Sequence, residues 1–497
     1  MPDLLVRPAA PVRTPLAAVA GWLGVAAPQD GDGVVVTGLT LSSQRVAPGD
    51  LYAALPGSRA HGADYAAQAV ANGAVAVLTD PVGARDLGVP TLVVPDPRAR
   101  LGDLAARVYG EPARDLTLVG VTGTQGKTTV TRLLESGLLG AHVPAGVVGT
   151  IGTRIAGRDV KTSLTTPEAP DLHALFAVMR EQGVTACAME VSSHALVMGR
   201  VDGVVFDVAV FTNLGRDHLD FHRDLEEYFA AKASLFTPQR ARRGLVNVDD
   251  EHGRRLVDEA GIAITTFSTA GADADWRAVD VELRPDGASF TVVGPDGSFA
   301  AGVPLPGTFN VANALAAVAA AGEAGLDVEA VAAGIAAGGG VPGRLERIDA
   351  GQDWLAVVDY AHKPDAVEAA LGALLPVTRG RLVVVIGAGG DRDPGKRPLM
   401  GEIAARLADV VIVTDDNPRT EDPAAIRRAV LDGIPPDTSA EVHEVDRRRQ
   451  AIALAVSLAR PGDVVLVAGK GHETGQEVDG VVHPFDDREV LRELIAP

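Results

Sequence analysis

The sequence predicts an α/β protein of three domains: a central parallel-sheet domain, a second α/β domain after it and a small α/β domain before it. The chain has 497 residues, more than one hydrophobic core normally holds. From Leu116 onward, apolar strand-like runs alternate with helical patterns, which is typical of a parallel sheet covered by helices. The glycine-rich segment 338–343 interrupts the alternation and predicts a linker. We therefore expect domains at residues 1–112, 113–341 and 342–497.

The elements of the first two domains follow from apolar periodicity and turn residues. The first domain combines short apolar runs with turns such as Ala47-Pro-Gly-Asp50 and ends in a helical stretch near Leu101 to Tyr109. The central domain has expected strands at Leu116 to Val121, Ala145 to Gly149, Val184 to Val191 and Val204 to Phe211, and expected helices at Thr128 to Leu139 and Pro170 to Gln182. An alanine-rich helical region, Val311 to Ala336, leads into the linker.

The last third of the chain predicts a Rossmann-like α/β domain. Its expected strands are Leu355 to Val358, Leu382 to Ile386, Val410 to Val413 and Val464 to Val467, and the polar or glycine-rich segments that follow them begin at Asp359, Gly387, Asp415 and Gly469. The carboxyl ends of parallel strands lie at the same edge of a sheet, where ligands bind. The four segments should therefore form one crevice.

Composition excludes several classes of protein. A formal charge of −20 argues against a nucleic-acid partner, because binding to phosphate backbones uses broad basic surfaces. A single cysteine, Cys187, rules out a disulfide framework and fits a reducing compartment. No apolar run approaches the roughly 20 residues of a membrane span, and the N-terminus lacks the pattern of a signal peptide. We expect a cytoplasmic monomer with no membrane partner.

A glycine-rich turn, Gly120-Val-Thr-Gly-Thr-Gln-Gly-Lys-Thr-Thr-Val130, lies between a predicted strand and a predicted helix. Backbone N–H groups of such a turn converge on an anion at the helix N-terminus, so this P-loop-type segment predicts a polyphosphate site. Lys127 would reach the β- and γ-phosphates of ATP, and Thr128 would offer its hydroxyl to Mg²⁺. The general pattern has glycine where this chain has Val121, so an ordinary glycine-rich turn is the alternative.

Three further groups follow predicted strands or lie on a predicted helix of the central domain. Glu190 offers a carboxylate that suits Mg²⁺, whereas the imidazole of His218 is a less usual ligand for so hard a cation and, taken alone, is a structural group. Lys232 is the one lysine in the apolar segment Glu227-Tyr-Phe-Ala-Ala-Lys-Ala-Ser-Leu-Phe236. The alternative for Lys232 is a surface lysine whose alkyl stem packs on apolar neighbours.

The motifs together resemble those of the Mur ligases, the amide-forming enzymes of peptidoglycan assembly. The segments that carry the resemblance are Thr122-Gly-Thr-Gln-Gly-Lys-Thr-Thr129, Met189-Glu-Val-Ser-Ser-His194 and Thr212-Asn-Leu-Gly-Arg-Asp-His-Leu-Asp220, and it extends over nearly the whole chain. The resemblance implies that Glu190 and His218 bind Mg²⁺. It also implies that Lys232 is carbamylated by CO₂ and shares a second Mg²⁺. The expected catalytic residues are then Lys127, Lys232, Glu190 and His218, and the expected metal residues are Thr128, Glu190, His218 and Lys232.

The resemblance also implies how ATP is bound. The expected contacts are Gly123, Thr124, Gln125, Gly126, Lys127, Thr128, Thr129, Asn310, Arg344 and Asp359. The last three come from the linker region and the third domain. Closure of the third domain over the P-loop would then complete the site and exclude water.

Within the family, Asp416-Asn-Pro-Arg419 resembles the motif of enzymes that add meso-diaminopimelate to UDP-MurNAc-L-Ala-D-Glu. The implied reaction activates the D-Glu γ-carboxylate with ATP as an acyl phosphate, and an amine then displaces phosphate. Implied contacts to the UDP substrate are Leu41, Ser43, Thr165, Thr166, Ser192, Met198 and Arg200; those to the amino acid are Arg392, Asp416, Asn417, Pro418, Arg419, Gly469 and Glu473. The chain departs from the family pattern at Gln125, usually Asn, at Ser42-Ser-Gln-Arg45, usually Asp-Ser-Arg, and at Met198, often Gln.

Other functions remain open at this point. One alternative is a related ligase that adds L-lysine, which lacks the arginine of the Asp-Asn-Pro-Arg motif. A second is a folylpolyglutamate synthase, which would show Gly-Lys-Gly-Ser after the turn and would lack the N-terminal domain. A third is a nucleotide-binding regulator with no chemistry. For Arg419 itself, the alternative is that it caps a loop or pairs with Asp415, Asp416 or Glu421.

Overall fold

The computed structural model describes residues 6–496 and divides the chain into two compact units. The first unit contains the residues up to 277 together with 315–334, and the second contains 278–314 and the residues from 335 onward. Parallel sheets form the core of each expected domain, and the α/β fold class is confirmed. None of the helices within 6–496 combines the length and apolar character needed to cross a bilayer.

The N-terminal part of the first unit contains a small parallel sheet of β3 to β6, a separate antiparallel pair of β1 and β2, and helices. Its strands are β1 (Thr14–Pro15), β2 (Val35–Val36), β3 (Gly38–Thr40), β4 (Asp50–Ala54), β5 (Ala76–Thr79) and β6 (Thr91–Val93). Its α-helices are α1 (Leu16–Leu23), α2 (Ala66–Ala71) and α3 (Arg98–Val108), and its 3-10 helices are Gln29–Gly31, Gly62–Tyr65 and Pro112–Asp115. Strands β3 to β6 are parallel and neighbour each other in chain order.

The rest of the first unit is built on a larger sheet. Its strands are β7 (Thr117–Thr122), β8 (Ala145–Val148), β9 (Thr153–Ile155), β10 (Arg158–Val160), β11 (Ala186–Glu190), β12 (Phe206–Phe211), β13 (Ala241–Asn247), β14 (Ala263–Ser268) and the start of β15 (Trp276–Arg284). Its helices are α4 (Lys127–Gly140), α5 (Ala169–Glu181), α6 (Ser193–Val197), α7 (Leu225–Ala233) and α8 (Glu251–Glu259).

The strand order around β7 positions the candidate site. The order is β10-β9-β8-β11-β7-β12-β13-β14, and β8, β11, β7, β12, β13 and β14 run parallel. These strands are apolar along most of their length because helices cover both faces of a parallel sheet. Strand β7 lies between β11 and β12, so the segments that follow these three strands leave the sheet side by side.

The alanine-rich region forms two helices, α9 (Thr308–Glu323) and α10 (Val328–Ala336). Gly325 separates them with a φ of 76°, a left-handed conformation that glycine adopts without steric cost. The N–H of Leu326 donates to the carbonyl of Ala321 at 2.9 Å, which satisfies an acceptor at the end of α9. The break is thus encoded by one glycine in an otherwise helical composition.

The second unit contains a hairpin and a Rossmann-like sheet. Its strands are β16 (Gly287–Gly294), β17 (Gly297–Val303), β18 (Glu346–Ile348), β19 (Leu355–Asp359), β20 (Leu382–Ile386), β21 (Val410–Val413), β22 (Glu441–Glu444), β23 (Val464–Ala468), β24 (Gly475–Val478) and β25 (Val481–Pro484). Its helices are α11 (Pro364–Leu374), α12 (Lys396–Leu407), α13 (Pro423–Leu431), α14 (Arg448–Leu458) and α15 (Asp487–Ile495), with a 3-10 helix at Leu375–Val377. The order is β18-β19-β23-β20-β21-β22, in which only β18 is antiparallel to its neighbour.

The N-cap of α8 connects helix stability to the segment that follows β12. Asp250 accepts hydrogen bonds through Oδ1 from the N–H groups of His252 and Gly253, at 2.9 and 3.1 Å, and through Oδ2 from the N–H of Leu214 at 3.2 Å. We expect Asp250→Ala to lower the free energy of opening of the first turn of α8 by about 1 kcal/mol. Native-state hydrogen exchange measures this locally.

Asp258→Ala is the matched control for this prediction, because Asp258 is an exposed residue of the same helix. Equal protection of the α8 amides in the two variants would contradict the role assigned to Asp250.

Candidate active site

The glycine-rich turn joins β7 to α4. Gly126 is the N-cap of α4 with a φ of 88°, and Lys127 is the first residue of the helix. The Lys127 ammonium donates to the carbonyls of Gly123 and Thr124 at 2.8 and 2.9 Å. Gly123 has a φ of 143°, and a Cβ on it would lie 1.9 Å from Thr212 Oγ1. Only glycine fits there, because the turn passes directly against Thr212.

The segment after β12 fixes the shape of this turn. Asn213 accepts at Oδ1 from the N–H of Gln125 at 2.9 Å, and its carbonyl accepts from the N–H of Thr124 at 2.9 Å. The hydroxyl of Thr212 donates to the carbonyl of Gln125 at 2.6 Å. The side chain of Gln125 is exposed. Two motifs that are about 90 residues apart in the sequence thus form one loop system.

Glu190 lies at the carboxyl end of β11, where it pairs in register with Val121 of β7. Its side chain is buried, and both carboxylate oxygens accept from Thr150: Oε1 from the N–H at 2.8 Å and Oε2 from the hydroxyl at 3.1 Å. Thr150 fixes the direction of this carboxylate. The sequence analysis missed Thr150 because it follows β8 without a motif of its own.

The expected contacts of the UDP substrate in the central domain lie around the end of β11. Thr165 and Thr150 share a hydroxyl–hydroxyl hydrogen bond of 3.1 Å, and the Thr166 hydroxyl donates to the carbonyl of Glu190 at 2.8 Å. The Ser192 N–H donates to the Thr166 hydroxyl at 3.2 Å. The guanidinium of Arg200 donates to Glu168, to the carbonyl of Thr166 and to the sulfur of Met198 at distances of 2.8, 3.4 and 3.4 Å.

The two expected contacts in the N-terminal domain lie after β3. Leu41 is half-buried, and Ser43 is buried with its hydroxyl donating to Gln68 at 2.9 Å. Nearby, Arg45 donates to Asp171 of α5 at 3.1 Å. Arg45 and Asp171 line a cleft together with Lys161, Ser163 and Leu164. Sequence analysis did not select Lys161 or Asp171.

Lys232 is buried on α7, so it is not a surface lysine with a solvated head. Its Nζ donates to the carbonyl of Gly123 at 2.8 Å and lies 4.4 Å from the centre of the Tyr228 ring. Burial lowers the pKa of Lys232 well below its usual range, and the charge of Lys127 lowers it further. Lys232 and Lys127 both donate to the carbonyl of Gly123, so the two lysine nitrogens lie close together beside the turn.

His218 follows β12 with a φ of 52°, a left-handed conformation that is uncommon for a residue with a side chain. Its ring centre lies 4.9 Å from that of His194 and 6.0 Å from that of Tyr228. The Tyr228 hydroxyl in turn hydrogen bonds to that of Thr124 at 3.2 Å. The structure thus links His218 to the phosphate loop. Sequence analysis missed Tyr228 as a functional residue because a buried tyrosine on an apolar helix has no distinguishing signal.

The side chains agree in part with the implied Mg²⁺. Thr128 and Glu190 offer oxygen donors, which this cation prefers. An amine at Lys232 is a poor ligand, whereas a carbamate on the same nitrogen would add two oxygens. Within residues 6–496, no group of three or more His, Cys, Asp or Glu side chains is arranged to hold a metal ion. The protein side chains would therefore form an incomplete coordination shell that phosphate oxygens and water complete.

Three expected ATP contacts lie in the second unit. Asn310 is buried on α9, donates to the carbonyl of Pro306 at 2.8 Å and accepts from Asn313 at 3.1 Å. The guanidinium of Arg344 stacks 4.6 Å from the centre of the Tyr360 ring. Asp359, at the end of β19, accepts from the N–H groups of Leu345 and Ala361 at 2.7 and 2.8 Å. Burial raises the pKa of Asp359, and the nearby Arg344 opposes this shift.

The residues expected to bind the amino acid lie mostly where strands β20, β21 and β23 of the second unit end. Asp416, Asn417 and Pro418 are buried in the loop after β21, whereas Arg392 is exposed in the loop after β20. Gly469 follows β23 with a φ of 120°, and a Cβ on it would lie 2.4 Å from Asp416 Oδ2. Glycine is therefore required where the loops after β21 and β23 meet.

Arg419 does not pair with Asp415, Asp416 or Glu421, but its contact with the loop after β20 fits the other part of the alternative, in which it caps a loop. Its Nε lies 3.2 Å from Glu477 Oε2, and its Nη1 donates to the carbonyl of Gly390 at 2.6 Å. Asp415 and Glu421 pair instead with Arg427 and Arg397.

Buried Lys470 was not selected from the sequence, although it stands beside Gly469. Its Nζ donates to Asn417 Oδ1 at 3.1 Å and pairs with Glu473 Oε2 at 3.2 Å. Asn417 Nδ2 donates to the same Glu473 oxygen at 3.0 Å. Asp416 Oδ2 is buried and has no hydrogen-bond partner within the described residues. The loops after β21 and β23 therefore carry two carboxylates, Asp416 and Glu473, and the Oδ2 atom of Asp416 can still accept a hydrogen bond.

A buried ion pair stabilises the loops that follow β21 and β23. Arg448 at the start of α14 and Asp487 at the start of α15 are both buried, with Nε–Oδ1 and Nη2–Oδ2 distances of 2.7 and 2.6 Å. Arg448 also donates to the carbonyls of Asp415 and Ala468 at 3.3 and 2.9 Å. One guanidinium thus ties the ends of β21 and β23 together. The sequence signal was weak because Arg448 stands among Arg447 and Arg449.

The first unit thus has a glycine-rich turn at a helix N-terminus with Glu190 and Lys232 beside it, and the second unit has polar loops at the carboxyl ends of its strands. Family models match three stretches: the Mur ligase family catalytic domain at residues 35–109, the Mur ligase middle domain at 121–321 and the Mur ligase glutamate ligase domain at 343–471. The chain belongs to the Mur ligase family.

Individual relatives extend this finding. The chain is 59% identical, over 98% of both chains, to the UDP-N-acetylmuramoyl-L-alanyl-D-glutamate–2,6-diaminopimelate ligase of Streptomyces avermitilis. A solved structure of a ligase with the same name is 38% identical, covers 93% of this chain and 95% of its own, and has a TM-score of 0.67. The folylpolyglutamate synthase of Mycobacterium tuberculosis, solved with ADP and AMPPCP, shares the fold at 20% identity over 75% of this chain and 92% of its own, with a TM-score of 0.61.

Proposed function

We propose that the protein is an ATP-dependent ligase that joins meso-diaminopimelate to the D-Glu γ-carboxylate of UDP-MurNAc-L-Ala-D-Glu. The observation that carries this proposal is the 59% identity with the Streptomyces avermitilis ligase, which extends over 98% of both chains. The Asp416–Arg419 loop at the end of β21 supports the choice of amino acid. We also propose domain limits of 1–112, 113–341 and 342–497, a cytoplasmic location and a monomeric state.

The first half-reaction belongs to the phosphate loop. An oxygen of the γ-carboxylate attacks the γ-phosphorus of ATP, the bond to the β-phosphate oxygen breaks, and ADP leaves. Lys127, which donates to two carbonyls of the turn, would exchange those acceptors for phosphate oxygens and offset charge on the transferring group. Thr128, Glu190 and His218 would hold Mg²⁺, a carbamate on Lys232 would help to hold a second one, and these ions would supply positive charge to offset that of the phosphates.

The other expected ATP contacts are the backbone of the turn from Gly123 to Thr129 and the side chains of Asn310, Arg344 and Asp359. The backbone N–H groups at the start of α4 suit a phosphate anion, because the N-terminus of a helix directs its N–H groups and the positive end of its dipole toward an anion. The hydrogen bonds from Asn213 support this proposal because they hold the turn in one shape before the nucleotide binds.

In the second half-reaction, an amine nitrogen of diaminopimelate attacks the acyl carbon. The bond to phosphate breaks, phosphate leaves, and the nitrogen loses a proton. Arg419 would bind the distal carboxylate through two parallel hydrogen bonds. Asp416 Oδ2, which lies 3.8 Å from Arg448 Nη1 and accepts no hydrogen bond within the described residues, would receive the distal ammonium together with Glu473. Lysine lacks the second carboxylate, so it would leave the Arg419 site without its anion.

Two alternatives are less well supported. A folylpolyglutamate synthase fold accounts for 75% of this chain, whereas the diaminopimelate ligases account for 93–98% and include the N-terminal domain. A nucleotide-binding regulator would have no need for the amino-acid crevice. ADP release that requires both UDP-MurNAc-L-Ala-D-Glu and an amino acid separates a ligase from a regulator, and a screen of amino acids in the same assay identifies the acceptor.

The choice of amino acid is tested at Arg419. We expect the unmodified enzyme to prefer diaminopimelate over lysine, and Arg419→Ala to lose about 2 kcal/mol of that preference, roughly 30-fold in kcat/KM, because a charge-assisted pair to the distal carboxylate is removed. Competition between the two amino acids measures the preference directly.

Arg428→Ala is the matched control, because Arg428 is exposed on α13 of the same unit. A wild-type preference for lysine, or an unchanged preference in Arg419→Ala, would exclude the proposed recognition.

A further inference from the structure

The hairpin β24–β25 holds the backbone of the loop that carries Arg419. The N–H of Arg419 donates to the carbonyl of Glu477 at 3.0 Å, and the N–H of Asp479 donates to the carbonyl of Arg419 at 2.7 Å. These bonds form a parallel bridge between Arg419 and Val478. Arg419 has a φ of 51°, a left-handed conformation that a residue with a side chain adopts only when its surroundings stabilise it. The hairpin supplies that support.

The hairpin also contacts the two residues of the loop that bear polar side chains before Arg419. Gln476 Nε2 donates to the carbonyl of Asp416 at 2.6 Å, and the N–H of Glu477 donates to Asn417 Oδ1 at 3.0 Å. Strand β24 therefore runs along the Asp416–Arg419 segment and fixes it at three points. Neither Gln476 nor Glu477 belongs to the motifs that the sequence singled out.

Glu477 acts on the guanidinium as well as on the backbone. Its Oε2 lies 3.2 Å from Arg419 Nε, and the carbonyl of Gly390 accepts from Arg419 Nη1 at 2.6 Å. Both the N–H and the carbonyl of Glu477 are hydrogen bonded, so the backbone that carries this carboxylate is held in place. An arginine side chain has five N–H donors, and the hydrogen bond to Gly390 uses one of the two on Nη1. Within the described residues Nη2 makes no hydrogen bond, so its donors remain for a carboxylate.

We propose that Glu477 is a positioning residue for amino-acid selection, which orients Arg419 toward the distal carboxylate without touching the substrate. This inference rests on the proposed recognition of that carboxylate by Arg419. The guanidinium carries several rotatable bonds, and fixing it before the ligand binds removes part of the entropic cost of binding. Glu477 thereby adds to selectivity although its own charge has the same sign as the recognised group.

The test is the steady-state kinetics of Glu477→Ala and Glu477→Gln with all three substrates. Glu477→Ala should raise the KM for diaminopimelate about tenfold and leave kcat and the KM values for ATP and the UDP substrate within about twofold. Glu477→Gln keeps an oxygen that can accept from Nε and should raise that KM by only about threefold. Glu493→Gln is the matched control and should behave as wild type. Glu493 lies on α15 and forms an exposed ion pair with Arg449 of α14.

A double-mutant cycle isolates the action through Arg419. In an Arg419→Ala background, Glu477→Ala should change the KM for diaminopimelate by less than about twofold. An unchanged or lowered KM in the single variant, a parallel rise in all three KM values, or an undiminished effect in the double variant would each overturn the inference. Wild type that does not use diaminopimelate, or an Arg419→Ala variant with full selectivity, would instead remove the proposed function.

Discussion

Lys127→Ala is expected to lower the rate of ADP formation by roughly 10²–10³, the usual effect of removing one preorganised group that stabilises developing charge. The side chain is half-buried at the start of α4, and its ammonium donates to the carbonyls of Gly123 and Thr124 in the turn that precedes the helix. The fold should therefore remain intact. ADP release under saturating substrates measures the catalytic rate, and circular dichroism with an unfolding midpoint measures whether the fold is intact.

Arg158→Ala is a suitable control for the loss of one positive charge, because Arg158 is an exposed residue on the edge strand β10. It should retain full turnover. Substantial ADP formation by a well-folded Lys127→Ala protein would remove the assignment of this turn as the phosphate site.

Lys232→Ala is expected to lose a comparable factor, roughly 10²–10³, because the carbamate that would share the metal charge cannot form. Carbamylation requires a neutral amine, and burial together with the charge of Lys127 lowers the pKa of Lys232, which favours the neutral form. A small carboxylic acid such as acetate should restore part of the activity, because it supplies the carboxylate that the variant lacks. ¹³C NMR of the wild-type protein in labelled bicarbonate should show the carbamate carbon.

Lys127→Ala provides the matched comparison for this rescue, since acetate cannot replace its positive charge. Full activity of Lys232→Ala, rescue of both variants alike, or a bare amine on Lys232 in the nucleotide-bound enzyme under ample CO₂ would contradict the carbamate.

The lowered pKa of Lys232 also predicts the direction in which the stability of the folded protein changes with pH. Between the lowered folded-state pKa and the ordinary lysine value, the unfolded chain binds a proton that the folded chain does not. Unmodified Lys232 therefore makes the folded protein less stable as the pH falls through this range. The proposed carbamate would meet its metal and neighbouring groups only in the folded protein, so bicarbonate together with Mg²⁺ should raise the unfolding temperature.

Local patterns were sufficient to predict the parallel strands and the positions of the loops. Buried strands such as β20 and β23 are continuous apolar runs, and the residues after them are polar or glycine, so the sequence was sufficient to predict where each strand ends. The contacts between loops could not be predicted, because they depend on which strands are neighbours in the sheet. The bonds from Thr212 and Asn213 to the turn at Gln125 follow from the placement of β12 beside β7.

Other residues escaped prediction because their environment is made by distant segments. Glu477 lies on a short hairpin whose sequence resembles an ordinary surface strand, yet it meets Arg419. Thr150 is one threonine among many and is defined only by its bonds to Glu190. For Lys232 the sequence left a surface position open, and burial became evident only with the packing of α7 against the turn at Gly123.

The buried pair of Arg448 and Asp487 limits how this protein can change during evolution. Loss of either partner alone leaves a buried charge without compensation, which costs several kcal/mol, whereas two apolar residues of similar volume are tolerated. Arg448 also holds the carbonyls of Asp415 and Ala468, so an apolar replacement would release the ends of β21 and β23. Positions 448 and 487 should therefore vary together across descendants of this sequence, and only in lineages whose amino-acid loops have acquired another support.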